Sequence, residues 1–145
     1  METNIFQKIG TLIPGYKGYQ EREGRRECDR LLREEISDGL MRIEKKINGL
    51  FDEADLDAIS NIELVRKKIN NLKDLIKYAS YGESPFFSDS VIKEDELDVI
   101  YQMDLDVMDI VKSITINDNN LKNIKTQILS LEDVINKRNQ YLKFK

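Results

Sequence analysis

The chain has 145 residues, 34% of them charged and 40% hydrophobic, with a formal net charge of −4 and no histidine. That length fits one domain able to bury a core, and only 7 glycines and 2 prolines leave too few turn signals for a β-sandwich or barrel. Mild acidity argues against a protein devoted to non-specific nucleic-acid binding, which depends on clustered lysine and arginine.

A single cysteine, Cys28, permits no intramolecular disulfide and suits a reducing compartment. The sequence shows neither a run of about 18 apolar residues nor a signal peptide, so a cytoplasmic location is expected.

In chain order, residues 1–19 form a short N-terminal segment distinct from a helical bundle over 20–145. Ile5, Phe6, Ile9, Leu12 and Ile13 share one side of a short helix that Pro14 and Gly15 end. The Gly15-Tyr16-Lys17-Gly18-Tyr19 motif follows, its glycines open to backbone angles that other residues avoid. From about Gln20 to Leu50 a long helix is predicted, because Cys28, Leu32, Ile36, Leu40, Ile43, Ile47 and Leu50 recur at steps of three or four. Gly24 and Gly39 weaken it and mark close contacts or bends.

A second helix is predicted from about Leu56 to Ser80 on the seam Ile62, Val65, Ile69, Leu72, Ile76 and Ala79. It stops at the Tyr81-Gly82-Glu83-Ser84-Pro85 break, after which Phe86 and Phe87 are expected to plug one end of the core. A third helix starts between Ser90 and Lys93, with Glu94, Asp95 and Glu96 suiting its positive end. Its apolar side holds Leu97, Ile100, Tyr101, Leu105, Met108, Val111 and Ile114, and Ile114-Thr115-Ile116 with the following polar run ends it. Asn119 or Asn120 is placed to cap the last helix, from about Leu121 to Phe144. Short connections favour antiparallel neighbours, so the expected fold is an all-α antiparallel four-helix bundle with coiled-coil-like helices.

Without histidine the commonest general base and the usual zinc or iron ligand are missing. Cys28 lies on the core stripe and reads as a buried, inert thiol. Carboxylate-held magnesium is the remaining catalytic alternative. Glu34-Glu35-Ile36-Ser37-Asp38 resembles the Glu-Glu-x-x-Glu element of all-α nucleotide pyrophosphohydrolases, with Asp in the last place. The resemblance implies a metal site completed by a Glu-x-x-Asp pair on the next helix. Here the stand-in is Asp52-x-x-Asp55, which leaves the second half of the motif in doubt.

Residues 89–109 contain eight acids and one base, Lys93, so the third helix has a solvated acidic face or one that meets a basic partner. Asp104 interrupts the apolar seam of that helix, and Arg138 interrupts the seam of the last one. A carboxylate on a seam must pair or take up a proton, so an Asp104–Arg138 pair across the bundle is expected.

The densest stretch is residues 15–33, where Arg22, Arg26, Arg30 and Arg33 recur at steps of four, four and three, with Arg25 beside them. Arginine favours planar recognition of carboxylate or phosphate. Nearby acids offer local partners, Glu27 for Arg30 and Asp29 for Arg33. The functional expectation is a strip for an acidic partner, with Tyr16 and Tyr19 as anchors. The chain thus reads as a non-enzymatic interaction or adaptor protein without cofactor, binding a protein partner or itself. The alternatives are the magnesium phosphohydrolase and a peripheral membrane protein held through residues 1–19.

Overall fold

Each long helix exists because a polar chain with one apolar stripe can satisfy its backbone internally and hide that stripe against others. The computed structural model describes residues 2–78, 84–87, 91–114 and 121–144. Among these lie five α-helices: α1 (Glu2–Leu12), α2 (Arg25–Asn48), α3 (Leu56–Lys77), α4 (Glu94–Ser113) and α5 (Leu121–Lys143). Short 3-10 turns occupy Arg22–Gly24, Phe51–Glu53 and Pro85–Phe87, and no strand occurs among the described residues.

The stripes are the core. Cys28, Leu32, Ile36, Leu40, Ile43 and Ile47 of α2 are buried, as are Ile62, Val65, Ile69, Leu72 and Ile76 of α3. In α5, Ile124, Ile128, Leu131, Ile135 and Leu142 do the same. Each such side chain contributes about 1.5–3 kcal/mol when fully buried. Boundaries differ modestly from the periodicity. The segment before Arg25 is a 3-10 turn rather than the first turn of α2, because Gly24 and Glu21 close a tighter hydrogen bond there. Asp55 caps α3 by accepting the Ala58 N–H at 2.8 Å, and the Glu96 carboxylate accepts the Lys93 N–H at 3.3 Å at the start of α4. The break at 81–83, residues 79–80, 88–90 and 115–116, and the proposed cap at Asn119 or Asn120 lie outside the described residues.

The helices form a bundle in which α2 packs on α3 and α4, α5 packs on the same two, and α1 lies on α4. Lys73 reaches Glu44, and Arg33 reaches the Ile76 carbonyl, so α2 and α3 form an antiparallel hairpin. Arg138 against Asp104, and Tyr141 against the Glu96 carbonyl, make α4 and α5 a second one. The helices alternate in direction along the chain, as the expected antiparallel bundle requires, and α2 packs beside α4 while α3 packs beside α5. Asp29 and Asp104 share Arg138, while ten residues on Gly39 faces Val111, so α2 and α4 run in the same sense. Between α3 and α4, the Pro85–Phe87 turn packs against α2 and α5 at one end of the bundle.

Glycine at position 39 permits that contact: a Cβ there would come within 2.4 Å of Val111 Cγ1. At that end of the bundle Phe86 and Phe87 are buried, and Ser84 Oγ donates to the Leu142 carbonyl. The phenylalanines plug the core as their position after the break predicts. Ile9 of α1 and Ile13 just beyond it are buried as well, so the apolar side of this helix is spent on the bundle.

Candidate functional site

At the plugged end the chain between α1 and α2 enters the interior. Gly15 and Gly18 take φ of 85° and 87°, the left-handed region that the Gly-Tyr motif makes accessible. Gly18 is also sterically required, since a Cβ would lie 2.6 Å from both Phe6 Cε2 and the Tyr101 hydroxyl. The Tyr19 N–H donates to that hydroxyl at 3.1 Å, and the Tyr19 and Tyr101 rings stack with centroids 5.9 Å apart.

This turn delivers two phenols to one carboxylate. Tyr16 and Tyr19 donate to Oδ2 of Asp104 at 2.7 and 2.5 Å, while Arg138 Nε donates to Oδ1 at 2.5 Å. Arg138 Nη2 lies 2.8 Å from Asp29 Oδ1 and donates to the Tyr19 oxygen at 2.9 Å. Asp29 in turn accepts from Arg33 Nε at 2.9 Å. Two aspartates and two arginines therefore balance, each carboxylate bridged by a guanidinium. Asp104 and Tyr19 are 0% exposed and Arg138 is 3% exposed. A buried charge is tolerable only when paired and hydrogen-bonded, and this set meets that condition.

Arg25 closes the cluster. Its Nε donates to the Tyr19 carbonyl at 2.9 Å and its Nη1 to the Phe86 carbonyl at 3.0 Å, tying the loop to the plug. Burial, then the charge of Asp104, pushes the Tyr16 and Tyr19 hydroxyls far above the ordinary phenol range. The Cys28 thiol, buried beside them, is pushed up to about 12, again by burial first and Asp104 second. All three hold their protons at neutral pH, and none is placed to act on a molecule in solvent. The cluster is a lock between the 13–19 loop, α2, α4 and α5.

The structure redistributes the predicted strip. Tyr16 and Tyr19 are inside the protein, so they cannot anchor an external partner; their hydroxyls are used by Asp104. Arg25 is buried on two carbonyls, and half-buried Arg33 is turned toward Asp29. Arg22, Arg26 and Arg30 remain at the surface. The Arg26 guanidinium sits over the Phe87 ring, 5.1 Å from its centroid, and Arg30 bridges Glu27 and Glu34.

The five carboxylates of the phosphohydrolase alternative are not brought together. Glu34 is engaged by Arg30 and Asp55 caps α3. Asp38 lies about 15 Å along the axis from the end of α2, beyond which Asp52 and Asp55 sit. Among the described residues no three acidic or thiol side chains, Glu35 included, gather closely enough to hold a metal ion. The Asp104–Arg138 pair forms as its two seam positions predict. The place of Asp29 was missed by the periodicity argument, although Arg25, Asp29, Leu32 and Ile36 continue one stripe at steps of four, three and four. A polar extension of an apolar stripe was the available signal.

Beside the lock, a groove of about 510 Å³ runs between α2 and α3. Arg30, Arg33, Lys73 and Lys77 line it together with Glu34 and Asp38, and Met41 supplies apolar surface. No protein-family model, curated protein or solved structure matches the chain.

Proposed function

We propose that this chain is a non-enzymatic helical-bundle interaction protein that docks an acidic partner segment on the outer side of α2. The observation that carries this reading is the division of its arginines. Arg25, Arg33 and Arg138 face groups that need them, whereas Arg22, Arg26 and Arg30 stand exposed on successive turns. Exposed ion pairs such as Arg30 with Glu27 contribute little to folding, so their cations can exchange one carboxylate for another at small cost. The groove next to them adds apolar contact to the charge, the combination that gives an interface its anchors.

The reading is tested with a fluorescein-labelled glutamate-rich peptide containing one central leucine, titrated with the protein at low and at high salt. Binding is expected at low salt and is weakened by added salt. Replacing Arg22, Arg26 and Arg30 together with glutamine is expected to leave the helical circular dichroism unchanged and to weaken binding by about tenfold or more. Unchanged affinity in that variant overturns the proposal.

A further inference from the structure

The outer face of α4 carries the opposite charge. Asp95, Val99, Gln102, Asp106 and Asp109 follow one another at steps of four, three, four and three, and all are exposed. No lysine or arginine occurs between Glu94 and Ile110. Asp104 is neutralised inside by Arg138, but Asp95, Asp106 and Asp109 form no ion pair among the described residues. A helix holding this many uncompensated carboxylates is stabilised by a cationic surface brought against it. The face is not purely polar either: Val99 is 41% exposed, and Val91, just before the helix, is 90% exposed.

The α2/α3 groove is the complement of that face on the same molecule. Its lining holds four cations, Arg30, Arg33, Lys73 and Lys77, against two acids, Glu34 and Asp38. Met41 is 49% exposed, and Tyr78, next to Lys77 in the chain, is 68% exposed with the Lys77 ammonium 5.3 Å from its ring centroid. The groove lies between α2 and α3, whereas the acidic face belongs to α4 on the other hairpin, so one molecule cannot cover its own groove with its own face.

We infer that the occupant of the groove is a second copy of this chain, whose α4 outer face lays Val99 and its flanking carboxylates between Met41 and Lys77. This rests on the function proposed above and names its partner. The two surfaces differ, so the contact is heterologous and propagates head to tail into chains or a closed ring rather than stopping at a symmetric dimer.

Sedimentation equilibrium of the full chain over a concentration series tests it, with two folded-state-checked variants. Met41→Glu with Lys77→Glu disables the groove, and Val99→Lys with Asp106→Lys disables the face. Wild type is expected to exceed monomer mass at low salt and to lose mass at high salt, while each variant alone stays monomeric. An equal mixture of the two is expected to form dimers and nothing larger, since one intact groove and one intact face remain. A wild type that is monomeric at every concentration at low salt overturns the inference, as does a mixture that stays monomeric. If wild type is monomeric yet still binds the glutamate-rich peptide, self-association fails and the docking function stands; loss of both sinks both.

Discussion

Asp104 and Arg138 meet at 2.5 Å in the interior, 34 residues apart, each at a helix position whose neighbours on the seam are apolar. Their pairing decides how α4 faces α5, because a slip of either helix would strand both charges away from water. Tyr16, Tyr19 and Asp29 then use the remaining hydrogen-bonding capacity of the pair.

Replacing Asp104 with leucine is therefore expected to destabilise the fold by about 3–5 kcal/mol, since it takes one of its two carboxylates from the buried Arg138 and leaves the Tyr16 and Tyr19 hydroxyls without their acceptor. Adding Arg138→Leu recovers part of that loss, giving a coupling of about 1–3 kcal/mol between the two sites. Urea unfolding of the single and double variants measures it. Simple additivity would falsify the idea that they act as one unit.

Alkaline pH attacks the same cluster. Folding raises Tyr16, Tyr19 and Tyr101, mainly through burial, and Cys28 to about 12. The unfolded chain releases those protons from its thiol near pH 8.5 and from its phenols near pH 10. Above those values the folded state binds more protons than the unfolded one, so stability falls as pH rises and is fully present below about pH 8. The urea midpoint is expected to drop between about pH 9 and 11, with a shallower slope in Tyr16→Phe. A midpoint flat across that range contradicts the burial of the phenols.

Cys28 gives a direct reading of access. With its pKa near 12 and the residue 2% exposed, almost no thiolate exists at neutral pH. Modification by a thiol reagent is expected to be slow in native protein and fast in urea. Rapid native labelling would show that the plugged end opens.

Gly39 tests the parallel contact between α2 and α4. Alanine there gains helix propensity of about 1 kcal/mol but drives a methyl into Val111 Cγ1, and overpacking of this kind costs about 1–3 kcal/mol. Gly39→Ala is thus expected to lower the melting temperature in wild type and to raise it in a Val111→Ala background. The same sign in both backgrounds means that the helices do not approach here.

A contrast between two arginines checks the division on which the docking reading depends. Arg25→Gln removes bonds to two carbonyls of the interior, and leaving such groups unpaired costs about 1–3 kcal/mol each. Arg30→Gln removes only exposed contacts and is expected to leave the urea midpoint unmoved. Equal losses would mean that the outer strip is structural.

By itself the sequence determined that the chain is helical, where its long helices run, and which stripe of each is buried, because helix period and apolar burial are local properties read residue by residue. The pairing of Asp104 with Arg138 was legible too, since a charge on an apolar seam requires a partner and the seams offered one of each sign. Only the tertiary structure decided that α2 and α4, which run in the same sense, pack as neighbours, and that Tyr16, Tyr19, Arg25 and Asp29 turn inward while Arg26 and Arg30 stay outside. Those residue types look alike in a one-dimensional charge pattern. Which of them is internal depends on where a loop bent by Gly15 and Gly18 enters the core, and that follows from packing among segments distant in sequence.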